Sequence, residues 1–307
     1  MLGTGDFALP TFEHLCETGH GVVALITQPD RPQGRKQELI PSRIKRAALA
    51  RGIRVEQPED VNAPASLDLV RGLDADLLVT AAYGQILSAD LLSITPMGGI
   101  NLHGSILPAY RGAAPVARAI EGGEAETGVT VIRMTPRIDA GGMMAFARTP
   151  IGPDETAGEL EARLALLGGP MVAEAIAALV AGKAVILPQD RSKVTRAPKL
   201  RKEAGRIDWT RSARQVHDLV RAMQPWPVAS TTWHRPAGPV RLIVHRSQPL
   251  EGHGEPGRVL EAHSDRLVIA AGSDAVRLLT VQLEGKKPFP AAEFLRGHHP
   301  HGDRMGD

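Results

Sequence analysis

Two hydrophobic periodicities alternate along the first half of the chain. Short apolar runs rich in β-branched residues at 22–27, 76–80, 99–102 and 128–133 predict strands. Helical periodicity predicts one helix at 42–51. A longer helix is predicted from Thr156 to about Gly182, where Thr156 and Glu159 have the spacing of a capping box. This order of elements predicts βαβ units and a parallel sheet.

The pattern changes after Leu187. A basic, proline-containing stretch precedes a helix predicted at 212–223, and the strand-like runs at 240–244, 266–270 and 276–281 are separated by glycine-rich turns. Short strands of this kind predict a small barrel. The length of 307 residues also fits two domains, since one domain takes about 150 residues.

The start of the chain departs from this scheme, because only Met1 and Leu2 precede the first glycine turn. We therefore expect that a central strand is missing and that the true start lies upstream, since an empty slot would leave ladder groups unpaired. The turn at residues 3–8 (GTGDFA) fits a dinucleotide-binding fingerprint without its preceding strand. A tight strand-to-helix turn is the favoured interpretation.

Composition narrows the class of protein. Hydrophobic residues make up 43% and charged residues 23% of the chain, which excludes collagen-like and disordered classes. With 3% aromatics, stacking on many bases is not expected. The one cysteine, Cys16, and the lack of a signal-like N-terminus predict a cytoplasmic protein. No apolar run is long enough to span a bilayer, so we expect no membrane association.

Charge is distributed unevenly around a net value of +2. Residues 31–54 hold eight basic side chains against one acidic one, and residues 190–206 hold seven against two. Each stretch alone is most simply a solvated basic face. The excess of positive charge within each stretch is nevertheless larger than the net positive charge of the whole chain.

The candidate chemistry lies at residues 101–112 (NLHGSILPAYRG). Asn101 and His103 are two residues apart at the end of a predicted parallel strand, so their side chains share one face, where α/β sheets place active sites. The residues that follow cannot continue the strand and must form a loop that exposes backbone donors and acceptors. A satisfied structural pair and a catalytic pair explain these two residues equally well.

Asp139 adds a third polar group. It lies among glycines after the predicted strand 128–133 and is free to reach the same sheet edge. Together, Asn101, His103 and Asp139 would supply an oxyanion donor, a proton-transfer group and a carboxylate that orients the histidine. No metal-ligand spacing accompanies them, so no metal is expected. The terminal histidines at 298–301 are expected to be solvated.

These residues resemble the signature of the formyltetrahydrofolate-dependent formyltransferases, together with the stretches at 27–32, 111–115 and 126–130. Further agreement at 82–84, 198–200, 206–209 and 225–227 extends the resemblance over nearly the whole chain. The resemblance implies a doubly wound, Rossmann-like α/β formyltransferase domain over residues 1–189. It also implies a basic linker over 190–206 and an OB-like, tRNA-binding β-barrel domain over 207–307.

The resemblance implies formyl transfer from 10-formyltetrahydrofolate to the α-amine of methionyl-initiator tRNA, for translation initiation. Asn101 and protonated His103 would donate hydrogen bonds to the oxygen of a tetrahedral intermediate. Asp139 would keep His103 charged and manage the protons that move between the two nitrogens. Main-chain contacts to the folate are expected from Ser105, Ile106, Leu107 and Pro108.

In this family context both basic stretches, together with the C-terminal domain, are expected to contact the tRNA, with the protein acting as a monomer. A sister formyltransferase acting on an amino-sugar nucleotide or glycinamide ribonucleotide would share the Asn-His-Asp set but need no basic linker. In a non-catalytic nucleotide- or RNA-binding protein, Asn101, His103 and Asp139 would take no part in a reaction. Two positions depart from the family pattern: Gly5 stands where proline is usual, and Gly142 where an acid is expected.

Overall fold

The computed structural model describes residues 1–33 and 38–306. The chain forms two compact units. One comprises Met1–Pro115, Glu126–Pro150 and Glu161–Pro198, and the other comprises Val116–Ala125, Ile151–Leu160 and the chain from Lys199 onward.

Residues up to 198 contain eleven described strands and six described helices. The strands are β1 (Leu2–Gly3), β2 (Ala24–Ile26), β3 (Pro32–Gln33), β4 (Glu38–Leu39), β5 (Arg54–Glu56), β6 (Leu78–Ala81), β7 (Gly99–His103), β8 (Arg111–Gly112), β9 (Glu126–Arg133), β10 (Met143–Pro150) and β11 (Arg196–Ala197). The helices are α1 (Leu9–Glu17), α2 (Arg43–Ala50), α3 (Pro64–Arg71), α4 (Ala89–Leu92), α5 (Pro115–Glu121) and α6 (Ala157–Val180). The four predicted strands are confirmed as β2, β6, β7 and β9, and the two predicted helices as α2 and α6.

The main sheet of the first unit has the order β10-β9-β7-β6-β1-β2-β5. Its strands from β5 to β7 are parallel, whereas β9 is antiparallel to both β7 and β10. The expectation of a purely parallel sheet is therefore wrong at this edge. The alternating pattern of side chains in β9 is the same in a parallel and in an antiparallel strand. Only the path of the chain therefore determines the direction of β9.

The central slot of the sheet is filled by β1, so the expected gap is absent. Leu2 pairs with Ile26 on one side and with Thr80 on the other. The amino group of Met1 donates to the carbonyl of Ala24 at 2.8 Å. Two strand residues and the preceding amino group therefore join β2 to Thr80 and Ala81 of β6, and the expectation of an upstream start stays a prediction.

The turn after β1 leads directly into α1, as the strand-to-helix interpretation predicts. A Cβ at Gly3 would lie 2.7 Å from the Cβ of Ala8, so glycine permits this close approach. Gly5 has a φ of 75°, in the left-handed region. Proline has a φ fixed near −65° and cannot adopt that conformation. Glycine at position 5, where proline is usual in the family, therefore fits the backbone conformation of this turn.

Helix α6 is, within the described residues, the one helix long and apolar enough to cross a membrane by length and composition. Leu160, Leu164 and Val172 on this helix are fully buried in the protein, while Leu166 and Val180 are exposed. The expectation that no apolar run is long enough to span a bilayer is therefore wrong for α6. The core helix of a folded domain has these same properties, so α6 is weak evidence for a membrane span.

The second unit is built on an antiparallel sheet in the order β14-β15-β16-β13-β12-β18, with β17 paired to β16. Its elements are α7 (Ala213–Ala222), β12 (Ala229–Arg235), β13 (Gly238–Leu250), β14 (Val259–His263), β15 (Arg266–Ala270), β16 (Ala275–Leu283), β17 (Phe289–Pro290), α8 (Ala291–Gly297) and β18 (Arg304–Met305). The sheet curls until its ends meet, because Arg258 bridges to Arg304 and the Val259 amide donates to the Asp303 carbonyl at 3.0 Å. The predicted helix and the three predicted strand runs are confirmed.

One terminal histidine, His298, packs against aromatic rings and is only partly exposed. The ring of His298 packs against Phe294 at 4.6 Å and Trp233 at 5.7 Å between ring centroids. Burial in this cluster lowers the pKa of His298. The expectation of solvation is wrong for His298, whereas His299 and His301 are exposed.

Candidate active site

Strand β7 presents Asn101 and His103 on one face, as their spacing predicts. The side-chain carbonyl of Asn101 accepts a hydrogen bond from Thr80 Oγ1 at 2.6 Å, and Thr80 is also its ladder partner on β6. Because the carbonyl is occupied, the amide nitrogen of Asn101 is the end of the side chain that can donate to a ligand.

His103 is buried at the end of β7, with one ring nitrogen firmly engaged. Its Nε2 lies 2.9 Å from the carbonyl oxygen of Tyr110. Because a carbonyl only accepts, Nε2 carries the proton of that bond. The other nitrogen, Nδ1, lies 3.6 Å from Asp139 Oδ2. The imidazolium form would therefore place its second proton between the ring and a carboxylate.

Asp139 reaches His103 by a different path from the one expected. Arg133, at the end of β9, lies opposite Ile100, whereas His103 lies opposite Thr130. The loop after β9 must therefore fold back toward His103. Asp139 itself has a φ of 48°, and its Oδ2 accepts a hydrogen bond from the Gly112 amide at 2.8 Å.

Gly142 closes this loop where the family pattern has an acid. A Cβ at Gly142 would lie 2.3 Å from Ile186 Cγ2. The carbonyl of Gly142 accepts from the Arg133 amide at 2.9 Å. A side chain at this position would require Ile186 to move, so glycine fits the packing seen here.

The loop at residues 105–108 is anchored to β9 by one buried threonine. Thr130 Oγ1 donates to the carbonyl of Ser105 at 2.7 Å and accepts from the Leu107 amide at 3.1 Å. Ser105 and Leu107 are buried, while Ile106 and Pro108 are partly exposed. The amide of Ile106 and the carbonyl of Leu107 make no hydrogen bond to another described residue, so they are groups that this loop can offer to a ligand.

Sequence reasoning missed Thr80 and Thr130, although the sequence carries a signal for both. Each is a polar residue inside an otherwise apolar strand, in the segments LVTA and ETGVTVIR. Buried polar groups of this kind need hydrogen-bond partners. Which partners they find depends on strand register and loop path, which the pattern does not specify.

The basic stretch at 31–54 is less cationic in the folded protein than its composition indicates. Acids from other parts of the chain form ion pairs with it: Glu59 with Arg31, Asp6 with Arg43, Asp30 with Lys45, and both Glu13 and Glu17 with Arg51. The hydrogen bond from the partly buried Lys45 lowers the pKa of Asp30. Arg35 and Lys36 lie outside the described residues.

The second basic stretch is mostly exposed. Its exposed cations are Arg191, Lys193, Arg196, Lys199, Arg201, Lys202 and Arg206. Part of the stretch is a strand, because β11 pairs in parallel with β8. Residues 1–33 and 38–306 contain no group of three His, Cys, Asp or Glu side chains placed to hold a metal ion.

Comparison with known families agrees with this combination of an α/β unit, an Asn-His-Asp site and an all-β unit. Residues 1–176 match the family described as Formyl transferase, and residues 199–299 match Formyl transferase, C-terminal domain. The chain belongs to the formyl transferase family. Its first unit is thus a Rossmann-like formyltransferase domain, followed by an all-β C-terminal domain with a curled sheet.

Its similar relatives include several methionyl-tRNA formyltransferases. The one from Solibacter usitatus is 43% identical over 308 residues, covering 100% of this chain and 98% of the relative. The one from Pseudomonas syringae pv. tomato is 46% identical over 287 residues, covering 94% of this chain and 90% of the relative.

Solved structures with low sequence identity share the fold. A sugar 3N-formyltransferase, WlaRD, crystallised with dTDP and 5-N-formyl-THF, has a TM-score of 0.67 at 16% identity, covering 93% of this chain and 97% of its own. HypX from Aquifex aeolicus, in complex with tetrahydrofolic acid, has a TM-score of 0.59 at 21% identity, covering 81% of this chain and 43% of its own.

Proposed function

We propose that this chain transfers the formyl group of 10-formyltetrahydrofolate to the α-amine of methionyl-initiator tRNA, for translation initiation. The observation that carries the proposal is the near-complete alignment with methionyl-tRNA formyltransferases at 43% and 46% identity. The sugar formyltransferase shares only 16% identity. The position of His103 between Tyr110 and Asp139 supports a reaction at a carbonyl carbon.

The chemistry of the donors fits the cosubstrate. The loop at 105–108 offers the Ile106 amide and the Leu107 carbonyl, which suit the donors and acceptors of a folate ring. We assign folate contact to Ser105, Ile106, Leu107 and Pro108 through their main chain. No metal takes part in the proposed reaction.

Asn101 and His103 stabilise the charge that develops on the formyl oxygen as the α-amine attacks the formyl carbon. Asn101 donates through its amide nitrogen, because Thr80 occupies its carbonyl. His103 donates through Nδ1, because Nε2 is held by Tyr110. Removing one such donor typically raises the barrier by about 3 kcal/mol.

Asp139 carries a proton from the attacking amine to the leaving nitrogen. One of its oxygens, Oδ2, accepts from Gly112, so Oδ1 is the oxygen that takes a proton from the attacking amine. The proton then passes to N10 of the folate as the bond between N10 and the formyl carbon breaks. Because Asp139 takes up one proton and then releases it, its charge is the same before and after the reaction.

The remaining assignments concern the partner. We assign residues 1–189 to catalysis and residues 190–206 to a basic linker. Residues 207–307 would form an OB-like tRNA-binding domain, which the meeting of the sheet ends at Arg258 and Arg304 supports. The tRNA would contact the two basic stretches and this domain, and the protein would act as a cytoplasmic monomer without a membrane partner.

The test is an assay of formyl transfer from 10-formyltetrahydrofolate to three acceptors: methionyl-initiator tRNA, an amino-sugar nucleotide and glycinamide ribonucleotide. Mass analysis of each product should find the added formyl group on methionine alone. Transfer to either small amine instead would identify a sister formyltransferase. Binding of tRNA with no folate turnover would identify a non-catalytic RNA-binding protein.

A further inference from the structure

The two groups that face His103 both lie on strained backbone. Tyr110, whose carbonyl accepts from Nε2, has a φ of 61°, and Asp139, whose carboxylate faces Nδ1, has a φ of 48°. Residues other than glycine keep such values only where the surrounding structure fixes them. At both positions, side chains of the segment 189–197 provide hydrogen bonds.

Gln189 uses both ends of its amide on this site. Its Nε2 donates to the carbonyls of Asp139 at 2.8 Å and Gly141 at 2.7 Å. Its Oε1 accepts from Arg111, from Nε at 3.0 Å and from Nη2 at 2.6 Å. The loop has little freedom, since a Cβ at Gly141 would lie 1.6 Å from the carbonyl oxygen of Arg133.

Thr195 acts on the other side of the histidine. Its Oγ1 accepts from the Tyr110 amide at 2.8 Å, and its carbonyl accepts from the Arg111 amide at 2.9 Å. The pairing of β11 with β8 continues this contact to Gly112, whose amide donates to Asp139. A Cβ at Gly112 would lie 2.5 Å from the carbonyl oxygen of Ala197, so the two strands approach closely.

We propose that Gln189 and Thr195 are positioning residues for the transfer reaction: Gln189 sets the carboxylate of Asp139, and Thr195 sets the carbonyl of Tyr110, so that His103 is held between them. The proposal rests on the proposed function of the same site. Both side chains act through other groups. Displacing a reacting group by about 1 Å can cost about a hundredfold in rate, so loss of either hydrogen-bond set should lower kcat.

Three substitutions test the two residues separately. Gln189→Glu keeps an acceptor for Arg111 but sets a carboxylate oxygen against the carbonyls of Asp139 and Gly141. Thr195→Val removes the acceptor for Tyr110 at nearly constant volume, and Thr195→Ser restores it. We expect kcat to fall about tenfold to a hundredfold in the first two variants, with KM for the folate and the tRNA unchanged. Thr195→Ser should retain wild-type kcat.

Ser93→Ala is the control, because the exposed Ser93 hydroxyl donates locally to the Asp90 carbonyl at 2.8 Å, and Ser93 lies outside the site and outside both basic stretches. Its kcat and KM should equal those of the wild type. Melting curves establish that each variant is folded at the assay temperature. If Gln189→Glu is not folded at that temperature, Gln189→Met replaces it. This variant removes the same hydrogen bonds without adding a charge, and we expect the same fall in kcat.

Hydrogen exchange at the Gly112 amide, measured by NMR without substrates, separates this proposal from the proposed function. Loss of the Gln189 contacts should loosen Asp139 and speed this exchange about tenfold, a change expected in neither the wild type nor Ser93→Ala. If the wild-type chain transfers no formyl group, the proposed function is wrong. The exchange rate of the Gly112 amide still tests the positioning role in that case. Unchanged kcat and exchange, or a rise in KM alone, would overturn the positioning roles.

Discussion

At the residue scale, His103 is constrained on one nitrogen and open on the other. Nε2 donates to the Tyr110 carbonyl at 2.9 Å, whereas the 3.6 Å from Nδ1 to Asp139 Oδ2 is longer than an ordinary hydrogen bond. A proton on Nδ1 is therefore not held by the carboxylate, and in the proposed reaction it can be donated to a substrate oxygen. The fixed nitrogen sets the ring orientation, and the open nitrogen is available for chemistry.

Asn101 and His103 could be predicted because two-residue spacing on a strand places side chains on one face. Tyr110 contributes only a backbone carbonyl, which no sequence pattern identifies. Thr80 reaches Asn101 through the register of β6 on β7. Register is set by packing of the whole sheet, so this partner could not be predicted from one segment.

Replacing Asp139 by asparagine tests the proton-transfer role with little change in shape. The amide oxygen of Asp139→Asn can still accept from Gly112, but the side chain takes up no proton near neutral pH. We expect kcat to fall about 10²- to 10⁴-fold with unchanged folate binding and melting temperature. Steady-state kinetics and equilibrium binding measure these quantities. Near-normal kcat with intact binding would contradict the assignment.

At the scale of elements, local signals were the most reliable. The capping box at the start of α6 is formed, since Thr156 Oγ1 accepts from the Glu159 amide at 3.3 Å and Glu159 Oε2 accepts from the Thr156 amide at 2.8 Å. The direction of β9 and the two-residue length of β1 were not predictable. Both depend on which neighbours complete the ladder rather than on the residues of the strand itself.

The capping box predicts a pH-dependent stability. Hydrogen bonds from the Thr156 amide and hydroxyl, and then from Arg246, lower the pKa of Glu159 from 4.5 to about 2. Because the folded pKa is below the unfolded one, the stabilisation is complete above pH 4.5 and is lost as the pH falls toward 2. The side chain is 51% exposed, so solvent screening keeps the contribution to about 0.5–1 kcal/mol.

Glu159→Gln keeps the capping geometry and removes the charge. Urea unfolding should find the wild type more stable at pH 7, with the difference shrinking between pH 4.5 and pH 3. The exposed Glu174→Gln on the same helix is the control and should show no comparable change. A wild-type advantage that stays constant down to pH 3 would contradict the role of the Glu159 carboxylate.

At the scale of the whole molecule, folding changes the meaning of charge composition. Counting residues ranks the stretch at 31–54 above the one at 190–206, yet distant acids pair with several cations of the first. The cations of the second stay largely exposed. Sequence composition alone cannot anticipate these pairs, because the acids lie outside the counted window. The exposed cations of 190–206 are therefore the stronger candidates for contact with RNA phosphates.

This difference predicts how tRNA affinity depends on salt. Each cation that neutralises a phosphate adds about 0.7–0.9 to the slope of log affinity against log salt, so Arg201→Ala combined with Lys202→Ala should flatten the slope by about 1.5 and weaken binding at low salt. Lys45→Ala is the control, because Lys45 is already paired with Asp30: it should lower stability and leave the slope unchanged. Filter binding of methionyl-initiator tRNA across a salt series measures both slopes. A flatter slope in Lys45→Ala, with none in the double variant, would assign the phosphate contacts to the first stretch instead.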